Sequence, residues 1–179
     1  YSDGDWAGDR KSRKSTSGGV IMIGSHYIKS WSKNQSVIAL SSAEAELYGM
    51  IEGVTRAKGL LSLAGEMGFG DLSNVVYVGT DSSAAKSFVC RKGLGRMRHL
   101  QIRDLWLQQE VREGRVEVYK VPGILNPADL MTKILGFKEI GIRLSKMGLM
   151  IKGSCTDVQV VNLCVVEAVR DMSCGLVHE

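Results

Sequence analysis

The sequence predicts a mixed α/β domain with helices packed on a sheet. Three observations point there. Short β-branched runs are interleaved with long stretches of helical periodicity. The elements follow the order strands, helix, strand, helix, helix, strand, helix. Apolar residues make up 44% of the 179, enough for a packed core.

Residues 1–6 read as the end of a strand. The apolar run Gly19–Ile23, the turn Gly24-Ser25 and the alternating stretch Tyr27–Trp31 form a hairpin pattern. Ser41 to Met67 reads as a helix, because Leu47, Met50, Ile51 and Val54 fall on one face. Ser41-x-x-Glu44 fits a capping box at its start, and Gly68 and Gly70 end it. Val75–Val78 is a short strand and Ser82–Val89 a short helix. A basic loop over Arg91–Arg98 leads to a second long helix, His99–Glu113, closed by Gly114. Val116–Val121 alternates as a strand. Asn126 as N-cap and Pro127 at the first helical position open a last helix. Trp31 and Trp106 fall at core-facing positions. After Leu135 the pattern weakens, and nothing ties the apolar run Val158–Val169 to the main domain. The expected organisation is a domain over residues 1–135 and a C-terminal extension over residues 136–179.

The formal net charge is +4, compatible with a polyanionic partner without requiring one. The cysteines, Cys90, Cys155, Cys164 and Cys174, form no CxxC pair, so zinc and a disulfide framework are not expected. Reduced thiols of an intracellular protein fit better. No apolar run is long enough to cross a bilayer, and the polar start YSDGDWAGDR is not a signal peptide. The chain does not begin with Met, so Tyr1 reads as an internal point of a longer polypeptide.

Four acidic residues stand where chemistry could use them. Asp3 ends the first strand, Glu46 lies in the first turns of the long helix, Asp81 follows a strand, and Asp129 opens the last helix. Strand ends and helix N-termini are where α/β sheets build sites. Carboxylates gathered there repel one another unless cations lie between them, and Mg²⁺ prefers oxygen ligands. Each also has a plainer role open to it: Asp3 in a turn, Asp81 as a helix cap, Asp129 complementing a helix dipole. Glu44 and Glu46 point to nearly opposite sides of their helix. Glu44 has the capping box, whereas Glu46 shares its side with Gly49 and Gly53, small residues that permit close approach to the sheet.

The segments YSDGDWAGD, RKSTSGG, SWSKNQ, ALSSAEAELYG, TDSSAA, RHLQIRDLWLQQEV and NPADLMTK occur in that order over residues 1–135. In this the chain resembles the ribonuclease H domain of copia-type retrotransposon Pol polyproteins. The resemblance implies a ribonuclease H-like three-layer fold: a mixed five-stranded sheet, three antiparallel then two parallel strands, flanked by helices. It implies that Asp3, Glu46, Asp81 and Asp129 hold two Mg²⁺ or Mn²⁺ ions and cut the RNA strand of RNA–DNA hybrids during reverse transcription. The implied partners are the hybrid and the upstream reverse transcriptase domain of the same polyprotein, with no membrane. The implied location is a cytoplasmic virus-like particle or the nucleus. Many ribonucleases H carry a His before the last Asp; Pro122–Pro127 has none, as is usual for the copia branch. The first strand is truncated at Tyr1, and the stretch after Lys133 has no recognised counterpart.

Arg91, Lys92, Arg96, Arg98 and Arg103 form the densest basic cluster, suited to backbone phosphates or simply to solvent. Arg13, Lys14 and Ser15, in the turn before the hairpin, could meet the minor groove, where 2′-hydroxyls mark RNA. A polar hairpin rim is the plainer reading. His99 is read as structural, and His26 and His178 as surface residues. An integrase-type recombinase would need its Glu last rather than second, which disfavours it. The other alternative is an inactive, degenerate element copy that only binds nucleic acid or supports a polymerase.

Overall fold

The computed structural model of the chain describes residues 1–69, 72–93 and 105–151. Strands β1 (Ser2–Asp5), β2 (Thr16–Ile23) and β3 (His26–Asn34) form an antiparallel sheet in that order. Gly24, at φ +59°, makes the β2–β3 turn. Helix α1 (Ser42–Glu66) follows, then β4 (Val76–Thr80), α2 (Ser83–Val89), α3 (Trp106–Arg112) and β5 (Val116–Lys120). β4 and β5 pair in parallel. Two 3₁₀ turns, Gly123–Leu125 and Pro127–Met131, lead to α4 (Phe137–Lys146).

Most elements lie where the residue pattern puts them. Ser41 caps α1, its hydroxyl accepting from Glu44 N at 3.2 Å. Glu44 reaches back to accept from Leu40 N at 2.7 Å. At the other end Gly68 takes φ +86°, and the Gly68 and Phe69 amides close on Gly65 O and Ala64 O. Leu47, Met50 and Val54 then face β4, α2 and α3, packing on Val76, Val78, Phe88 and Leu107. Each such side chain, fully buried, stabilises the fold by about 1.5–3 kcal/mol.

The expected sheet is met in part, one expected helix is corrected, and the chain past residue 135 adds an element. The five strands are not one continuous ladder: a three-stranded antiparallel and a two-stranded parallel sheet stand side by side. β1 contacts β4, but a ring occupies the seam: a side chain built on Gly79 would come within 2.8 Å of Tyr1 Cδ1. The ring of Tyr1 also meets Tyr119 edge-on, centroids 6.3 Å apart. The helix expected from Asn126 is instead a single 3₁₀ turn capped by that residue. Past residue 135 there is a further helix, α4, which packs on both 3₁₀ turns. The helix expected over residues 99–113 is seen as α3, Trp106–Arg112, while residues 99–104 and the run Val158–Val169 lie outside the described residues. No described helix is long and apolar enough to cross a membrane.

Candidate active site

The site begins where α1 crosses β1. A side chain on Gly4 would meet Ala45 O at 2.5 Å, and one on Gly49 would meet Asp3 O at 2.8 Å. Two facing glycines therefore let the helix lie on the strand backbone, which brings Glu46 over Asp3. Asp81 follows the C-terminal end of β4. The cap of α2 falls to Ser82, whose hydroxyl accepts from Ala85 N at 3.2 Å, so Asp81 is not occupied as a cap. Asp129 sits in the second 3₁₀ turn. Asn126 accepts from Ala128 N at 3.2 Å and donates to Ser2 O at 3.2 Å, fastening that turn to β1.

These elements bring three carboxylates together. Asp3, Asp81 and Asp129 each offer an oxygen within 4.8 Å of the others. Glu46 belongs to the same electrostatic cluster. Burial first, then the charges of Asp3 and Asp81, push its carboxyl up to about 9. Its Oε2 is buried without a hydrogen-bond partner. Burial also raises Asp3, helped by Asp129 and Asp81 and opposed by the Thr132 hydroxyl and Lys133. Three of the four acidic residues singled out from the sequence thus offer oxygens to one place, and Glu46 lies near enough to feel the charges of Asp3 and Asp81.

Their counter-charges were not foreseen. Lys133 Nζ donates to Asp129 Oδ1 at 2.8 Å and to Asp3 Oδ1 at 3.2 Å. The Thr132 hydroxyl donates to Asp3 Oδ2. Arg143 Nη2 donates to Asp129 Oδ2 at 2.7 Å, with both side chains buried. The rest of the guanidinium is held by Asn126 O, Glu139 O and Gly123 O at 3.2–3.3 Å. A signal for Arg143 existed: it takes the second place in Ile140, Arg143, Leu144, Met147, an i, i+3, i+4, i+7 stripe that is otherwise apolar.

The cluster is consequently asymmetric. Both oxygens of Asp3 and of Asp129 are engaged by protein donors, whereas among the described residues the Asp81 carboxylate accepts no hydrogen bond and Glu46 Oε2 is unmet. Two cations face four acidic side chains, of which burial and mutual repulsion raise Glu46 and Asp3. A set of hard oxygen donors with unmet valence suits Mg²⁺ or Mn²⁺.

The basic residues are more scattered. Lys92 is exposed beyond α2, and Arg91 stacks on the Phe88 ring, 4.8 Å from its centroid. Arg96, Arg98, His99 and Arg103 lie outside the described residues. Arg13 is exposed at φ +59°, and Lys14 is half-buried. Ser15 is fully buried and its hydroxyl accepts from Ala7 N at 3.0 Å, so it faces the interior and not a groove. Trp31 is buried, with Arg56 5.2 Å from its ring centroid, and exposed Trp6 donates to Ala39 O at 3.0 Å.

Comparison with known proteins gives the following relatives. The retrovirus-related Pol polyprotein from transposon TNT 1-94 of Nicotiana tabacum is 31% identical over 137 residues, 75% of this chain and 10% of that protein. The retrovirus-related Pol polyprotein from transposon RE1 of Arabidopsis thaliana is 31% identical over 150 residues, 83% of this chain and 10% of that protein. The secreted RxLR effector protein 161 of Plasmopara viticola is 44% identical over 57 residues, 32% of this chain and 40% of that protein. The chain spans about a tenth of the length of the Pol polyproteins it matches. No family model and no solved structure matches it.

Proposed function

Since the chain is related to one segment of retrovirus-related Pol polyproteins from plant transposons, we propose that this segment is the ribonuclease H part of a copia-type polyprotein. Its activity is metal-dependent hydrolysis of the RNA strand of RNA–DNA hybrids. The observation that carries this reading is the convergence of Asp3, Asp81 and Asp129 within 4.8 Å, with Glu46 near enough for Asp3 and Asp81 to raise its carboxyl. The contact of β1 with β4 supports reading the two sheets as halves of one five-stranded mixed sheet, ordered β3-β2-β1-β4-β5.

In this reading Asp3, Glu46, Asp81 and Asp129 hold Mg²⁺ or Mn²⁺. Divalent ions bound there supply an activated water and neutralise charge at the scissile phosphate. The chain's own residues prepare that place. Arg143 and Lys133 fix the direction of Asp129, and Thr132 fixes Asp3. Gly4 and Gly49 set the height of Glu46 above the strand. Arg91, Lys92 and Arg13, with Arg96 and Arg98, are the candidates for hybrid phosphates. The hybrid and an upstream reverse transcriptase domain are the partners this reading implies.

The test offers labelled RNA–DNA hybrid, duplex DNA and duplex RNA, each with and without Mg²⁺. The expected result is cutting of the hybrid's RNA strand alone, only with the ion. Asp81→Asn should lower it by about a hundredfold or more. Full activity in Asp81→Asn would rule the mechanism out. Hybrid binding without cutting in the wild-type chain would favour the non-catalytic alternative.

A further inference from the structure

We infer that Trp6 is a substrate-positioning residue, whose exposed indole packs against the sugar edge of the bound RNA–DNA hybrid close to the cut. This rests on the ribonuclease reading above and deepens it. The ring is 52% exposed, yet it is not loose. Its Nε1 donates to Ala39 O at 3.0 Å, which fastens it beside the residues that lead into α1. Behind it the backbone turns at Ala7, whose φ of +54° lies in the left-handed region that alanine rarely adopts. The buried Ser15 hydroxyl accepts from Ala7 N at 3.0 Å and holds that turn. Strain kept beside an exposed aromatic points to a use for the ring in that place.

The surroundings choose the partner. The chain neighbours of Ala39, Ile38 and Leu40, are 52% and 65% exposed, so the ring belongs to an apolar shelf. The loop that starts at Trp6 carries Arg10, Lys11 and Arg13, all exposed. Its Asp9 is turned onto the loop itself, accepting from Lys11 N at 2.9 Å and from the Ser12 hydroxyl. An apolar face beside a cationic tip suits a nucleic-acid strand, whose phosphates are anionic and whose sugars are not. In a duplex the bases cover one another, so what it offers an indole is the sugar edge along the minor groove. The shelf is also continuous with the carboxylates. Trp6 follows Asp3 by three residues of β1 and its end, about 10 Å of extended chain, or about three base-pair steps. Leu40 precedes the helix that carries Glu46.

The experiment has two arms on the full chain. In the first, acrylamide quenching of tryptophan fluorescence is measured with and without saturating hybrid in metal-free buffer. Trp31 is buried and Trp106 half-buried, so the readily quenched signal belongs to Trp6. Hybrid is expected to protect that signal in wild type, and Trp6→Phe to lack it. In the second arm, hybrid cleavage with Mg²⁺ compares wild type, Trp6→Ala and Trp6→Phe. Trp6→Ala should raise KM about tenfold while kcat changes by less than about twofold. Trp6→Phe keeps an apolar face but loses the bond to Ala39, and it should recover most of the loss. An indole as open to acrylamide with hybrid bound as without it would overturn the inference even if Trp6→Ala failed to fold. An unchanged KM in Trp6→Ala would also overturn it, leaving the shelf to a protein partner while the ribonuclease reading stood. A wild-type chain that neither binds nor cuts the hybrid would sink both.

Discussion

Two glutamates on different helices show how differently this fold treats a carboxylate it removes from water. Glu110, on α3, has a side chain only 4% exposed and receives two cations. Arg115 binds both its oxygens, at 2.6 and 3.0 Å, and Lys58 adds a further ion pair. The Arg115 bonds, outweighing burial, and then Lys58 hold Glu110 down to about 2. Glu46, on α1, receives no such pair, and burial with Asp3 and Asp81 pushes it up to about 9. The same chain can therefore neutralise a buried glutamate when the role is to join α1, α3 and β5. Beside the aspartates it leaves one carboxyl without a cation of its own. An uncompensated group of this kind marks a place kept for something outside the chain.

The contrast can be broken most strongly at Arg143. Arg143→Met would give Asp129 the situation of Glu46, a buried carboxylate short of a partner. Breaking a buried pair in this way costs about 3–5 kcal/mol. Urea melts of wild type and variant check it, and an unchanged midpoint would mean Asp129 finds another partner.

Removing the charge of Glu46 sharpens the contrast from the other side. Its pKa is higher in the folded chain than its ordinary value of 4.5, so the fold binds a proton the unfolded chain has already lost. Stability therefore falls as pH rises from about 4.5 towards 9. In metal-free buffer at pH 8, Glu46→Gln should be more stable than wild type by about 1–3 kcal/mol, with no difference at pH 4. Thermal melts at both values read this directly, and a less stable variant at pH 8 would overturn it.

Glu110→Gln should behave oppositely and more weakly. The folded pKa of Glu110 is depressed, so its contribution is present above 4.5 and lost as pH falls towards 2. The expected cost at pH 7 is about 1 kcal/mol, because Lys58 and Arg115 remain partly solvated and screened. The gap to wild type should close on acidification. A gap that widened would show that Glu110 is not the group titrating.

The places of the four acidic residues at strand ends and helix starts were legible locally, but their standing as one set came from the order of the motifs and not from spacing. Most element limits were legible too, from Ser41 at the head of α1 to Ser82 before α2. What was not legible is relational. Lys133 stands four residues after Asp129, a spacing that looks like any surface ion pair. Only the fold brings Asp3, 130 residues away, to its other side. Ser15 reads as a groove contact because it follows Arg13 and Lys14 in the turn before the hairpin; the Ala7 amide that it meets depends on the loop between β1 and β2. The close approach of the Tyr1 ring to Gly79 is likewise something no propensity describes.

Helix α4 lies beyond the last recognisable motif, yet it supplies the guanidinium that steadies Asp129. A frameshift falling between Ile134 and Arg143 would leave every motif readable while taking that support away. Gene copies judged intact by their signature residues would then include some with a slackened centre. An expression boundary drawn after Leu135 would impose the same lesion by design.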